Sequence, residues 1–502
     1  MTVIDLKDWT KRNVWINGSG ELCVRPGFRR IATPTAGRRW VGGFSVQNPW
    51  TLEVWHYIAD VSTAGLDLVV RVFDDDFVEW QAIQTGVDVV PRGFSFGVVE
   101  GEIMIGSPDM PTLWGYVGGA LTLATKVASD NPGTTAINVP RGIVCSVLNR
   151  ICIADGASLF VSDPVAVTGG SPRTFVAQNQ NQRPGTIFGL HEGAGGNLVC
   201  ATSAGVYSLD PAAFALQIVG SNGTDWRLVS RTETYSYDST CNVRGRIYGL
   251  TRRGFALIDV EGAPEVPLDE PPVPLGLVRS FQSPDWRGSR LYAGDDGPIV
   301  ADDGLASGGG GPALHFISDE VRSWWVAGYP NRAIMRGVLR DLDGDVMVLG
   351  EAGAELITGN IDMEKPLTGN SSGIGSTLFA RIGSDPDDNP NVRHLVWAVS
   401  SRGGQTVFCG VRGALQKAQV SGTTTGTITA DTRGIIVGTT SWGASGVWYQ
   451  DAPMGTIRFD ADFPSTDLTI DLNATGGGAR LGERLSIEIS KSAPKRTPTR
   501  GT

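Results

Sequence analysis

The sequence predicts an all-β chain built around a β-propeller. A unit made of an apolar strand, a tight turn and a second strand recurs roughly every 50 residues, which is the spacing of propeller blades. Glycine accounts for 67 of 502 residues and separates short apolar runs, a pattern typical of many tight turns. Helical periodicity is almost absent, so β-structure is favoured throughout.

Seven copies of this unit can be aligned. Their first residues are Glu102, Arg150, Asn197, Arg246, Arg290, Asp345 and Gln405. An isolated hairpin is marginally stable in water, so each unit must bury its faces against the next one. We therefore expect a closed ring of about seven blades, with six to eight compatible with the irregular ends. The strand LDLVVRVF (66–73) is either an eighth unit or the strand that closes the ring.

Within the units, apolar residues occupy consecutive positions instead of alternating ones. Examples are ICIA from Ile151 and VMVL from Val346. A strand of this kind needs cover on both faces. The middle strands of a propeller blade have that cover because neighbouring blades pack on each side.

The predicted organisation has three segments. Residues 1–35 form an N-terminal arm, residues 36–450 the propeller with loop insertions, and residues 451–502 a small β appendix with a basic tail. Two insertions are distinctive, the proline-rich Val266–Pro274 and the glycine run at 308–311. We expect both loops at interfaces or at the mouth of a channel.

Composition and charge narrow the function classes. The formal net charge of −10 argues against a general nucleic-acid binder, which carries basic stripes. No apolar run approaches the length of a membrane-spanning helix, and charged residues interrupt the opening Met1–Trp15 segment, so neither a transmembrane helix nor a signal peptide is expected. The six cysteines lie far apart and are expected as buried free thiols.

Residues suited to metal binding do not form a recognisable site. The four histidines lack metal-ligand spacing, and CxxC is absent. Asp341–Asp345 resembles the start of a calcium loop, but Val346 replaces the required glycine and Ala352 the final glutamate. An ordinary acidic turn is the better interpretation, and a solvated loop is favoured for the acidic cluster at 385–389.

Catalytic motifs are equally weak. The GNSSG sequence at 369–373 follows a polar, proline-broken segment, whereas a nucleophile elbow needs a strand before it and a helix after it. The segment at 283–288 approaches a sialidase box but misplaces the glycine and lacks the final tryptophan. We therefore predict no catalytic residue, no cofactor and no enzymatic activity.

The opening segment, together with the repeats, resembles the tail nozzle (hub) proteins of short-tailed bacteriophages. The matching elements are Trp15-Ile16-Asn17-Gly18 and Arg25-Pro26-Gly27-Phe28, both in the opening segment Met1–Ile31. The resemblance implies a structural virion protein of the tail, made in the host cytoplasm. It implies a homohexameric ring below the portal and adaptor proteins that extends and gates the DNA ejection channel and anchors fibres or spikes.

Eight residues are candidates for assembly contacts. They are Trp15, Asn17, Arg25, Pro26, Gly27, Phe28, Trp324 and Trp325. Adjacent strand residues point to opposite faces, so one of the tryptophan pair could reach a partner; the alternative is that both are core residues. Pro26-Gly27 would also form a turn in any protein.

The net charge suits a conduit for DNA. Six chains would carry about 60 negative charges, and repulsion would keep the double-stranded DNA from binding the wall. No membrane insertion is expected. Two alternatives stay open: a propeller-type carbohydrate-binding module, which would hold exposed aromatic side chains, and a propeller glycoside hydrolase.

Overall fold

The computed structural model describes residues 27–64, 67–124, 140–162, 185–209 and 335–358, most of 226–251 and 290–302, and elsewhere strands alone. Five strands precede the first complete blade: β1 (Thr2–Ile4), β2 (Thr10–Arg12), β3 (Val14–Ile16), β4 (Leu22–Val24) and β5 (Gly27–Ala32). Seven four-stranded antiparallel blades can be traced in these described ranges. The predicted all-β propeller is confirmed.

The strands of each blade follow one another in the chain. Blades 1 to 3 contain β6 (Arg38–Gln47), β7 (Val54–Ser62), β8 (Leu68–Phe73), β9 (Glu79–Gln84), β10 (Ser95–Val99), β11 (Glu102–Ser107), β12 (Met110–Tyr116), β13 (Thr122–Leu123), β14 (Ile143–Val147), β15 (Arg150–Asp155), β16 (Ser158–Ser162) and β17 (Phe175–Ala177). Blades 4 and 5 contain β18 (Ile187–Glu192), β19 (Leu198–Thr202), β20 (Gly205–Leu209), β21 (Trp226–Ser230), β22 (Thr240–Val243), β23 (Arg246–Thr251), β24 (Gly254–Ile258) and β25 (Val266–Pro267), with a 3₁₀ turn at Ala194–Gly196.

Blade 6 has four sequential strands, whereas blade 7 has three. These are β26 (Arg290–Ala293), β27 (Pro298–Asp302), β28 (Ala313–Ser318) and β29 (Ser323–Gly328), followed by β30 (Met335–Arg340), β31 (Val346–Gly350) and β32 (Gly353–Thr358). The fourth strand of blade 7 is β5, which pairs antiparallel with β32. The ring is therefore closed by a strand from the N-terminal region.

The first strand of every blade lies innermost, around the central channel. Consecutive first strands contact one another from β10 through β30 to β6, and β30 pairs with β6 in parallel. At that junction a Cβ on Gly337 would lie 2.2 Å from the Gly43 carbonyl oxygen, so glycine is required there. Blades 1 and 2 are joined by Phe44, whose ring centroid lies 4.0 Å from that of Phe96.

The hydrophobic core consists of layers between blades. Separate clusters join blades 1 and 2, 2 and 3, 3 and 4, 4 and 5, 6 and 7, and 7 and 1. All six residues of β11 and all five of β19 are buried. The prediction that consecutive apolar residues mark strands covered on both faces is confirmed.

The repeat is more regular in the structure than in the sequence alignment. The second strands begin at Val54, Glu102, Arg150, Leu198, Arg246, Pro298 and Val346. The spacing between successive starts is identical around the ring except between blades 5 and 6, where it is slightly longer. The Arg290 unit was aligned one strand early, because it covers β26 and β27 instead of the second and third strands.

The ends of the ring differ from the sequence alignment in two places. The 66–73 segment supplies β8, the third strand of blade 1, so it belongs to a further unit outside the seven aligned copies and is not the closing strand. The Gln405 unit is not a blade, because its strand pairs outside the ring, in the sheets described next. Its apolar run resembled a blade strand because any strand between two partners shows the same pattern.

Further sheets follow the ring. Their strands are β33 (Ser376–Arg381), β34 (Asn391–Val399), β35 (Thr406–Ala414), β36 (Gly422–Thr429), β37 (Val447–Asp451), β38 (Met454–Pro464), β39 (Asp467–Thr475), β40 (Arg480–Gly482) and β41 (Ile487–Ser492). N-terminal strands pair with them: β1 with β41, β4 with β40, and β2 between β29 and β33. The blades thus occupy Gly27–Thr358, a shorter range than the predicted 36–450.

Candidate functional site

One end of the propeller carries the turns between first and second strands; we call it the turn face. The turn of blade 7, Asp341–Asp345, lies beside the turn of blade 1 that follows β6, because β30 and β6 run in parallel. The β8–β9 turn of blade 1 reaches the same place, where the Leu342 amide donates to Asp75 Oδ1 over 3.1 Å.

The acidic sequence at Asp341–Asp345 forms a closed turn. The Asp345 amide donates to Asp341 Oδ1 (2.7 Å) and the Gly344 amide to the Asp341 carbonyl (3.0 Å). Burial and then the negative charge of Asp341 raise the pKa of the neighbouring Asp75. Among the residues with described side chains, no group of three or more His, Cys, Asp or Glu is placed to hold a metal ion.

Apolar side chains stand exposed around the turn face. Trp50 is 66%, Leu52 59%, Leu342 57% and Leu148 46% exposed. Leu52 and Leu148 also have positive φ angles of 63° and 46°, a conformation that costs a non-glycine residue about 1–2 kcal/mol. Glu100 and Arg244 have positive φ angles in the equivalent turns of blades 2 and 5, so at Leu148 this conformation follows from the tight hairpin turn.

A buried histidine, His56, lies beneath the turn face and contacts residues of blades 1 and 7. Ser45 Oγ accepts a hydrogen bond from the Arg340 amide (2.9 Å) and is hydrogen-bonded to His56 Nδ1 at 2.8 Å. His56 Nε2 lies 3.9 Å from Asp75 Oδ1. Burial lowers the pKa of His56 to about 4. The neutral ring therefore links blades 1 and 7 structurally.

The opposite end of the channel is lined by charged residues at the starts of first strands; we call it the channel mouth. Asp238 precedes β22, Arg290 begins β26, and Arg336 lies near the start of β30. Arg290 Nη1 is 3.7 Å from Asp238 Oδ2. Arg336 Nε donates to Glu351 Oε1 over 3.0 Å, and Arg39 Nη1 lies 3.4 Å from Glu351 Oε2.

The loop Ser236–Ser239 lies across this mouth. The Arg92 guanidinium, from the start of blade 2, lies 5.6 Å from the Tyr237 ring centroid. On the other side of the ring, the Leu291 amide of blade 6 donates to the Asp238 carbonyl over 2.8 Å. The loop therefore contacts blades on both sides and narrows the channel at this end.

Burial dominates the electrostatics of the mouth. It raises the pKa of Asp238, although Arg290 and Arg336 act to lower it. It also raises the pKa of Tyr292 to about 12, and the phenol donates to the Met335 carbonyl over 3.3 Å. Tyr292 therefore stays protonated at neutral pH, and a tyrosinate nucleophile is not available at this position.

The predicted assembly residues fall into three groups. Phe28, expected at an interface, is 1% exposed and packs in the layer between blades 6 and 7 of its own chain, because β5 completes blade 7. Gly27 pairs with Thr358 beside it. Trp15 lies in β3 opposite Cys23, and Trp324 and Trp325 lie in β29 opposite Ile317 and Phe316; whether these tryptophans reach a partner stays a prediction.

The other predicted positions lie outside the described residues. These are Asn17, Arg25 and Pro26, the 308–311 loop, the motifs at 283–288, 369–373 and 385–389, and most of the proline-rich loop, of which Val266–Pro267 forms β25. Of the cysteines, Cys145, Cys152, Cys200 and Cys241 are free and buried as predicted. Sequence reasoning missed the channel mouth because its residues come from different blades, far apart in the chain.

Comparison with known proteins does not place the chain in a family. No protein-family profile and no curated protein matches it. Among solved structures, YCF48 bound to D1 peptide has a TM-score of 0.40 at 14% identity, covering 69% of this chain and 99% of its own. A streptogramin B lyase has a TM-score of 0.39 at 12% identity, and the match covers 66% of this chain and 95% of the lyase chain. The WD40 β-propeller domain of Doa1 has a TM-score of 0.36 at 10% identity, and the match covers 68% of this chain and 100% of the Doa1 domain. Because these TM-scores are below 0.5, the fold is described from the strand pairing of this chain and not from these matches.

Proposed function

We propose that this chain is a structural subunit of a phage tail nozzle, which assembles into a ring below the portal and adaptor and extends the DNA ejection channel. The observation that supports an assembly role is the turn face, where Trp50, Leu52 and Leu342 stand exposed in turns of the neighbouring blades 1 and 7. Isolated exposed apolar residues are ordinary on protein surfaces. Three exposed apolar side chains in adjacent turns favour burial against another subunit.

The DNA route in such a ring lies between chains. The propeller's own channel has first strands in contact around it and the Ser236–Ser239 loop across one end. A DNA duplex needs a lumen formed by several subunits, as the homohexamer implied by the resemblance would supply. The same ring would offer its outer blades to fibres or spikes.

Assembly is tested with the purified full-length chain, alone and mixed with candidate portal and adaptor proteins. Negative-stain microscopy and light scattering should show rings or a stable complex. The double variant Trp50→Ser/Leu342→Ser should lose them, because it removes the exposed apolar contacts. Leu228→Ser is the matched control, since Leu228 is 44% exposed on the outer strand of blade 4.

Three results would count against the proposal. The first is a chain that stays monomeric and binds no portal–adaptor complex. The second is assembly that survives the double variant unchanged, which would move the interface elsewhere. The third is saturable glycan binding or turnover of a sialoside by the monomer, which would favour the carbohydrate-binding or hydrolase alternative.

A further inference from the structure

We infer that Cys145 and Cys152 are an oxidation site, and that they form a disulfide bond across the β14–β15 hairpin of blade 3 when the chain folds in the presence of oxidised glutathione. This inference is independent of the nozzle proposal. Both cysteines are free thiols in the structure, which therefore shows the reduced form of the site.

The two cysteines lie directly opposite each other on neighbouring strands. β14 pairs with β15 in antiparallel register, and Cys145 is the Cα partner of Cys152. Opposite residues on antiparallel strands have Cα atoms about 4.5–5.5 Å apart. A disulfide spans a Cα–Cα distance of about 4.4–6.8 Å. The strands therefore need little movement to bring the two sulfur atoms within bonding reach.

Both thiols also point into the same layer of the core. Cys145 (8% exposed) and Cys152 (0%) belong to the cluster between blades 3 and 4, whereas Val144, Ile151 and Ile153 beside them belong to the cluster between blades 2 and 3. Burial raises the pKa of Cys145 well above its usual range, and the Cys152 thiol acts in the same direction. The two side chains are thus neighbours on one face of the blade.

The hairpin turn determines how strained the bond is. Leu148 and Asn149, with positive φ angles of 46° and 58°, form a two-residue turn whose flanking residues are a hydrogen-bonded pair. Hydrogen-bonded and non-hydrogen-bonded pairs alternate along an antiparallel ladder, so Cys145 and Cys152 are again a hydrogen-bonded pair. Side chains stand further apart in such a pair. A disulfide between them is therefore strained and easier to reduce than an ordinary structural one.

The bond forms by two exchange steps while the hairpin is still open to solvent. The Cys145 thiolate attacks the disulfide of oxidised glutathione and releases one glutathione thiolate. The Cys152 thiolate then attacks the mixed disulfide at the Cys145 sulfur and releases the second. The two protons lost by the cysteines pass through solvent to the glutathione thiolates, and the two electrons leave with them as two molecules of reduced glutathione.

Folding order makes this route available although both thiols end up buried. Six residues separate Cys145 from Cys152, so the hairpin brings them together locally, and hairpins form within microseconds. The cover on this face comes from blade 4, whose residues Leu190 and Leu198 lie in the same cluster. Once blade 4 has packed, it also shields the bond from reductants. The oxidation state set during folding is therefore kept in the finished ring.

The test uses the full-length chain made by cell-free translation, in one mixture buffered with reduced and oxidised glutathione and in a second containing dithiothreitol. Soluble protein is alkylated in guanidinium and digested with trypsin without reduction. Trypsin places Cys145, Cys152 and Cys200 in three separate peptides, 142–150, 151–173 and 174–227. We expect the first two peptides to be joined in the glutathione sample, with two hydrogens fewer than their sum, and to be separate in the dithiothreitol sample.

Cysteine variants and a reduction rate complete the experiment. Cys145→Ala and Cys152→Ala should each abolish the joined peptides. Cys241→Ala is the matched control, because Cys241 is also buried in a first strand but lies opposite Tyr248, and it should keep them. Dithiothreitol should reduce the bond at least tenfold more slowly in native protein than in guanidinium.

Three results would overturn the inference. The first is soluble wild-type chain from the glutathione mixture in which peptides 142–150 and 151–173 are separate. The second is a disulfide that joins either of them to the Cys200 peptide instead. The third is equally fast reduction in native and unfolded protein, because a bond in the layer between blades 3 and 4 would be shielded.

Discussion

Replacing Phe28 by alanine should open the ring where the N-terminal strand closes it. The side chain is 1% exposed and packs with Ile299, Leu314, Met335 and Val348, so it joins blade 6 to blade 7. Truncating a buried phenylalanine removes its transfer free energy and leaves a cavity, which together cost about 3–5 kcal/mol. We take about 4 kcal/mol as the expected loss, since this site is enclosed by two blades.

The assay separates a local opening from general destabilisation. In Phe28→Ala, β5 should detach from β32, and amide exchange in Ala354–Thr358 should accelerate by about a thousandfold, which corresponds to about 4 kcal/mol. Guanidinium unfolding followed by tryptophan fluorescence gives the global change. Ile31→Ala is the control on the same strand, because Ile31 is 42% exposed and should lose less than about 1 kcal/mol.

Two results would refute this reasoning. One is a Phe28→Ala variant whose β32 amides keep their wild-type protection, because β5 would then be held by something other than this side chain. The other is an equal effect of Phe28→Ala and Ile31→Ala. Either outcome would show that the Phe28 side chain does not hold β5 in the ring.

Three further predictions concern pH, the channel lining and the thiols. The folded-state pKa of His56 is lowered to about 4 from 6.5, so the unfolded chain binds the proton first. The His56 contribution to stability should be complete above pH 6.5 and fall by about 3 kcal/mol as the pH drops to 4. Burial lowers the pKa of His191 to about 4 as well, so acid titration of His56→Gln should show about half of the wild-type loss. Gly337→Ala should destabilise the ring by more than about 2 kcal/mol, because the added Cβ would lie 2.2 Å from the Gly43 carbonyl oxygen. Chemical unfolding measures this loss. Gly119→Ala is the control, because the nearest atom to its Cβ is 3.2 Å away in the Tyr116 side chain, and its free energy of unfolding should change little. Burial raises the pKa values of the Cys145 and Cys241 thiols. Both should therefore resist a thiol reagent in the native protein and react when guanidinium is added. Rapid labelling of both thiols in the native state would contradict their burial.

The blade strands were predictable because their signal is local. Consecutive apolar residues such as Ile151–Ala154 require cover on both faces, and each tight turn carries its own glycine or polar residue. The order of strands within blades 2 to 5 follows from this pattern. The alignment failed at Arg290 because first and second strands there are both short and apolar, and local sequence does not distinguish which of them is innermost.

The sequence by itself determined the all-β propeller class, the approximate blade number and the burial of the strands, since each depends on residues within a single repeating unit. Only the tertiary structure decided that β5 completes blade 7, that Phe28 is a core residue, and that Arg290 and Asp238 lie together at the channel mouth. These contacts join residues that belong to different blades or to opposite ends of the ring. Their formation depends on closure of the ring, which brings the first strands together, and closure is a property of all seven blades at once.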